Sequence, residues 1–273
     1  MADCNNCATS TTCTKDKEAC QVVVNQFSKI DRIIGVMSGK GGVGKSTVAV
    51  AIAKRLQRQG YKVGILDADV TGPSVPRLLG LHEQRAKHVE EYILPVETME
   101  GIRAMSLNFL VDEENSPVIW RGPIVSNMVK QFYTDVFWGN LDYLVVDMPP
   151  GTSDVALTVM QSLPLHGLVM VTLPQDMVSM IVEKAVQMAR KMSVPVLGVI
   201  ENMSYIVCPD CGKKINLFGD GNSDNLLYRH QLHLLGEIPM TQGMASMASA
   251  AGTDAEMDAL FAPIVENIRK VLG

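Results

Sequence analysis

The sequence predicts an α/β fold, a mostly parallel, doubly wound sheet with helices on both faces. Three observations predict it. From Ile33 onward, short runs rich in β-branched residues alternate with helical segments, the pattern of buried parallel strands joined by crossover helices. The first run opens into a glycine-crowded loop and then a helix, the strand-loop-helix order in which α/β sheets build ligand sites. With 273 residues, 47% hydrophobic and 19% charged, the chain suffices for one domain with a large core.

Residues 1–28 are polar, rich in Thr, Asn and Cys, and lack periodicity. They read as a tail that orders only when something binds its cysteines. The domain is expected over 29–273. Its strands are "RIIGVMS", "KVGILD", "YLVVDM", "GLVMVTL", "PVLGVIEN" and "LLGEI". Helices are expected at 45–59, 122–138, 153–163, 177–192 and 255–271. Within "YILPVETMEGIRAMSL", two extended segments flank Met99 to Gly101, which predicts a β-hairpin or antiparallel edge. No internal repeat or long linker divides the rest.

The formal net charge is −5, with no dense run of Lys or Arg, so no nucleic-acid surface is expected. No apolar stretch reaches the roughly 18 residues a membrane span requires, and "MADCNNCATSTTC" has neither a basic nor an apolar leader region. The expectation is a cytoplasmic protein with no membrane partner. In a reducing compartment the six cysteines, Cys4, Cys7, Cys13, Cys20, Cys208 and Cys211, read as metal ligands or redox groups rather than as disulfides.

Gly39, Gly44, Lys45 and Ser46 satisfy GxxxxGK[ST] between a strand and a helix. The backbone of Gly39, Gly41, Gly42, Val43, Gly44, Lys45, Ser46 and Thr47 can wrap phosphate oxygens with N–H groups at the positive end of a helix. Lys45 adds a point charge and Ser46 a Mg²⁺ ligand. A plain glycine-rich turn is the alternative. Asp67 and Asp69 end one strand and Asp147 ends another, at the carboxyl edge where such sheets assemble ligand sites. Asp67 also reads as a cap or turn residue, and Asp154 as a helix cap.

A phosphate cradle needs only one lysine, which leaves Lys40 over, and it could simply be a solvated loop lysine. "GKGGVGKST" resembles the deviant Walker A of the nitrogenase iron protein, MinD and ParA group of P-loop ATPases. That resemblance implies that Lys40 reaches a partner subunit's nucleotide. It also implies that Asp69 positions the attacking water, that Asp147 holds Mg²⁺ through water, and that Asn202 and Pro239 recognise the nucleobase. Asn202 could equally form a turn.

"CPDCGKK" places Cys208 and Cys211 on a Pro and Gly turn. Zinc ribbon, redox dithiol and shared cluster are the competing accounts. Two thiolates under-ligate zinc or an iron–sulfur cluster unless two chains combine. No second cysteine pair follows between 212 and 273, where His230 and His233 are the candidate ligands. "ENMSYIVCPDCG", with the Walker A, "DADVTGPS" and "DMPPGTSD", closely resembles the Mrp (ApbC-like) family of iron–sulfur cluster carrier ATPases from about Ile33 to the C-terminus. The resemblance implies a homodimer that holds a labile [4Fe-4S] cluster between two Cys208/Cys211 pairs, hydrolyses ATP weakly with Mg²⁺, and hands the cluster to apo iron–sulfur proteins. Cys4, Cys7 and Cys13 resemble three ligands of the ferredoxin-like tail in eukaryotic cytosolic relatives, with Cys20 a fourth at a departing spacing. Free thiols are the alternative. Two other classes compete with the carrier: an electron-transfer protein like nitrogenase iron protein, and a MinD- or ParA-like positioning ATPase. The first places its ligand cysteines in separate segments. The MinD type ends in a basic amphipathic helix, whereas "AEMDALFAPIVENIRKVLG" begins acidic.

Overall fold

The computed structural model describes residues 22–70, 72–111, 122–174, 180–216, 223–241 and 254–273. Its strands are β1 (Lys29–Ser38), β2 (Val63–Asp67), β3 (Lys87–Val89), β4 (Tyr92–Leu94), β5 (Val96–Glu97), β6 (Arg103–Met105), β7 (Asn140–Asp147), β8 (Gly167–Thr172), β9 (Val196–Glu201), β10 (Tyr205–Val207), β11 (Lys214–Asn216) and β12 (Leu234–Glu237). The helices are α1 (Lys45–Arg58), α2 (Val75–Leu78), α3 (Gly122–Thr134), α4 (Asp154–Ser162), α5 (Met180–Lys191), α6 (Ser223–His230) and α7 (Asp254–Leu272).

Eight strands form the main sheet in the order β12-β9-β8-β1-β7-β2-β6-β5, parallel throughout except that β5 pairs antiparallel with β6. The β5–β6 turn is the hairpin expected around Met99 to Gly101. Strands β2 and β8 are buried along their whole length, because helices cover both faces and leave no solvated side for polar residues. One apolar layer gathers Phe132, Trp138, Met160 and Val186. The other gathers Ile52, Leu56, Phe261 and Ile264. Each such fully buried side chain contributes about 1.5–3 kcal/mol. Between α1 and α7, Arg55 meets Asp258 at 2.5 Å.

Three details depart from the sequence expectation. The helix expected to run to residue 138 stops at Thr134. There Val136 bridges to Ile93, Phe137 N–H donates to Ile93 O at 2.8 Å, and Gly139 takes φ 61°, so β-branched and aromatic residues leave the helix to pack. Strands β3 and β4 form a second hairpin, which the exposed polar segment around Glu90 did not announce. Residues 22–28 are also seated on the domain: Val22 N–H donates to Ser162 O at 2.9 Å, and Asn25 Nδ2 donates to Thr134 O at 2.9 Å and Val136 O at 2.7 Å.

Parallel register positions the site. Val36 of β1 lies opposite Asp147 of β7, and Asp67 of β2 lies opposite the same Asp147. Strands β2 and β7 therefore end together at paired carboxylates, beside the end of β1.

Candidate functional site

The loop from Gly39 to Gly44 joins the carboxyl end of β1 to α1. Gly42 and Gly44 have φ of 79° and 80°, the left-handed region that glycine enters without the clash a Cβ would bring. Three bonds brace the loop from outside. Ser38 Oγ donates to Lys40 O at 2.8 Å, Gly151 N–H donates to Ser38 O at 2.8 Å, and Asn202 Nδ2 donates to Val43 O at 2.8 Å. Helix α1 then starts at Lys45 with no acidic residue in its first turn, so its positive end stays available to an anion.

Lys45 is 6% exposed, with Nζ 2.5 Å from Asp147 Oδ1 and 3.6 Å from Asp69. Asp147 is fully buried. Burial pushes its carboxyl above the usual range, while the Lys45 charge pulls the other way. Its second oxygen, Oδ2, is buried with no hydrogen-bond partner among the described residues. Ser46, whose hydroxyl lies 3.3 Å from Lys45 Nζ, pulls the Asp147 carboxyl down after Lys45 does. An idle buried carboxylate oxygen beside a serine hydroxyl is a donor set that fits oxygen-coordinated Mg²⁺.

Asp67 is a hub rather than a simple cap. Its Oδ1 accepts from Asp69 N–H at 3.2 Å, and its Oδ2 accepts from Val75 N–H at 3.3 Å and Ser106 Oγ at 3.1 Å. Burial first, and then repulsion from Asp147, push its carboxyl well above the usual range. Ser106, at the end of β6, carried no signal in the sequence, because only the fold brings it to Asp67. Asp154 takes the first position of α4, and the cap is its neighbour Ser153, whose Oγ accepts from Ala156 N–H at 3.3 Å.

The remaining expected residues divide between the loop edge and a separate arm. Lys40 is exposed at the loop tip and Thr47 is half-buried. Asn202, directly after β9, is fully buried. Pro239 is buried one residue past Ile238, whose carbonyl accepts from Ser204 N–H at 3.0 Å.

Cys208 and Cys211 lie outside the sheet, on the turn of the antiparallel β10–β11 hairpin. Cys208 N–H donates to Lys213 O and Gly212 N–H donates to Cys208 O, both at 2.9 Å, with Gly212 at φ 70°. N–H groups of Cys211 first, and of Asp210 next, pull the Cys208 thiol below its ordinary value, which favours the metal-binding thiolate. Both cysteines are free, Cys208 half-buried and Cys211 exposed. Among the described residues no third Cys, His, Asp or Glu joins them. Cys4, Cys7, Cys13 and Cys20 fall outside the described residues.

A model of the ParA-type NUBPL iron-transfer P-loop NTPases matches residues 29–272. A protein of Clostridium perfringens called "Iron-sulfur cluster carrier protein" is 48% identical over 254 residues, covering 88% of this chain and 89% of that one. A protein of the same name from Methanocaldococcus jannaschii is 42% identical over 242 residues, covering 87% and 83%. Among solved structures, a nucleotide-binding protein of Archaeoglobus fulgidus in complex with ADP superposes with a TM-score of 0.73 at 41% identity, covering 83% of this chain and 89% of that one. The cell-division ATPase MinD of Pyrococcus furiosus, at 18% identity and a TM-score of 0.61 over 88% of this chain and 98% of its own, shares the fold.

Proposed function

Because the chain belongs to the ParA-type family of NUBPL iron-transfer P-loop NTPases, we propose that it is an ATP-hydrolysing carrier that holds a [4Fe-4S] cluster between two copies of itself and passes it to apo iron–sulfur proteins. One observation carries this reading. A free CxxC pair projects on a hairpin turn of the same chain that holds the phosphate loop, and among the described residues only these two thiolates are offered. A cubane cluster takes four cysteinyl ligands, so a two-fold axis relating two hairpins supplies the full set. Val207 and Ile215, beside the turn, are 48% and 47% exposed, apolar surface suited to a partner chain.

At the nucleotide end, the anion replaces Asp147 and Asp69 as partner of Lys45. Asp147 Oδ2 and Ser46 Oγ would hold Mg²⁺, which supplies Lewis-acid stabilisation of the phosphates when bound. Asp69, held by Asp67 through its own N–H, orients the attacking water. Lys40, at the exposed tip, reaches the partner's nucleotide, so turnover follows dimer closure. At the thiol end, each iron–thiolate bond of the cargo exchanges for an acceptor thiolate, with no net redox change, from a turn that solvent reaches. Cys4, Cys7, Cys13 and Cys20 are proposed to hold a second cluster on the tail. The place of action is proposed to be the cytoplasm. Partners other than a second copy and apo-proteins are not proposed: α7 spends its apolar face on the core, with Phe261 and Ile264 each 1% exposed, and among the described residues no helix is long and apolar enough to cross a membrane.

The test is anaerobic reconstitution with iron and sulfide in full-length chain carrying Cys4, Cys7, Cys13 and Cys20 all as Ala. A dimer with about two irons per chain is expected, and adding Cys208→Ala should abolish both loading and transfer to an apo-acceptor. A Cys208→Ala protein that still loads and delivers would refute the assignment.

A further inference from the structure

The two ends of the Asn202 side chain serve different parts of the molecule. Its Nδ2 donates to Val43 O of the phosphate loop at 2.8 Å, and its Oδ1 accepts from Met203 N–H at 3.0 Å. Met203 has φ 53°, a left-handed conformation that a side-chain-bearing residue holds only when its surroundings impose it. From there the chain is pinned again, by Ser204 N–H on Ile238 O at 3.0 Å and by Met240 N–H on Tyr205 O at 2.8 Å. It then enters β10 and reaches Cys208.

The contact at the loop is close as well as bonded. A Cβ added at Gly44 would lie 2.3 Å from Asn202 Nδ2. Gly44 therefore has to be glycine twice over, for its φ of 80° and for the amide packed against it. With Asn202 N–H also tied to Thr172 O at 2.8 Å, the residue reaches from β9 across the end of β8 to the loop that follows β1, the neighbouring strands of the sheet.

We infer that Asn202 is a positioning residue that latches the phosphate loop to the thiol-bearing hairpin, so that phosphate in the loop alters the backbone leading to Cys208. The phosphate half of this inference rests on family membership alone. The hairpin half rests on the proposed role of Cys208 and Cys211. Coupling of this kind is reciprocal, so a ligand on the thiols alters phosphate affinity by the same factor. A residue that reads the base would act differently: its loss would weaken adenine nucleotides and leave the phosphates alone.

Iron-free full-length protein separates the two. For Asn202→Ala, titration calorimetry with ADP, GDP and inorganic pyrophosphate is expected to show all three weakened by one common factor of about tenfold, the scale of leaving the buried Val43 carbonyl unpaired. Loss confined to ADP, with pyrophosphate unaffected, would overturn the inference in favour of a base contact. The unmutated chain supplies a second test that does not depend on the variant folding. Pyrophosphate, which has no base, should change hydrogen exchange across residues 203–212 by about fivefold, the lower end of ordinary coupling. Unchanged exchange there in the wild-type chain would also overturn it. Neither measurement involves iron, so failure of the carrier reading would show in cluster loading while these results stood.

Discussion

Lys45→Met tests whether the free chain neutralises its own phosphate site. The substitution keeps a long unbranched side chain and removes only the charge. At 2.5 Å between Nζ and Asp147 Oδ1, the gross attraction at an effective dielectric constant near 20 is about 7 kcal/mol. Asp69 at 3.6 Å adds to it. Burying the ammonium offsets several kcal/mol of that gain, yet removing one partner of a buried pair strands the other charge, a net loss of about 3–5 kcal/mol. The loss should depend on pH. Burial already pushes Asp147 upward, and Lys45 is the strongest influence pulling it down. Without Lys45 its folded-state pKa stands further above the unfolded one, so the folded chain holds the extra proton in the interval between them. Stability of the variant therefore falls as pH rises through that interval. The deficit should be largest at pH 8 and shrink toward pH 5. Urea unfolding followed by far-ultraviolet circular dichroism, for wild type and variant at both pH values, measures it. Adding Asp147→Asn should recover most of the loss, because the stranded charge is gone. A deficit below about 1 kcal/mol, the size of a surface pair, or one equal at pH 5 and pH 8, would refute the reasoning.

The other predictions concern the loop and the sheet beneath it. Gly44→Ala forces a Cβ to φ 80° and to 2.3 Å from Asn202 Nδ2; about 1–3 kcal/mol of backbone strain plus displacement of the amide should weaken ADP binding at least tenfold by calorimetry, and wild-type affinity would show that the loop rearranges freely. Lys40→Ala should leave ADP affinity within about twofold and lower ATP turnover at least tenfold, as loss of a cation acting in trans does; equal losses in affinity and turnover would argue against action across the dimer. His166 Nδ1 accepts from Ile33 N–H at 3.0 Å, and burial first, then Arg32, hold the imidazole below its usual value. The unfolded chain thus takes the proton more readily, so this contribution is full above about pH 6.5 and is lost as pH falls. His166→Gln should flatten the dependence of the urea midpoint between pH 5 and pH 7, and an unchanged slope would exclude His166 as its source.

What could be read from the sequence was what period and spacing encode. Alternating apolar runs and helical segments located the central strands and α1, α4 and α7 within a few residues, because buried parallel strands need near-continuous apolar sequence. The loop residues Gly39 to Ser46 were legible because a phosphate cradle leaves little freedom in residue type. Local pattern failed where a contact from elsewhere decides. Helix α3 stops at Thr134 because Ile93, forty-one positions earlier, takes Phe137 and Val136 into strand-like pairing. Ser106 reaches Asp67 only through the pairing of β6 with β2. Asn202 was assigned to the nucleobase only by resemblance, and that its amide meets Val43 O of the phosphate loop depends on how β9, β8 and β1 lie side by side, which no linear spacing records.

Register also explains why one lysine can serve several carboxylates. Asp67 and Asp147 face each other across β2 and β7, and two buried carboxylates at that range cannot both carry charge without a counterion. Helix α1 must begin beside them, since its first residue follows the loop that leaves β1, which pairs with β7 on the other side. Lys45 is therefore delivered to Asp147 by chain connectivity. On the role proposed for Asp147, a nucleotide that enters would compete with this internal pair, and its phosphates would bind best when Asp147 gains a replacement cation at the same moment. Binding of phosphate without a divalent ion should consequently cost the chain an uncompensated Asp147 charge, so affinity for ADP should rise when Mg²⁺ is supplied. The Lys45→Met/Asp147→Asn chain, which lacks both partners, should show no such rise.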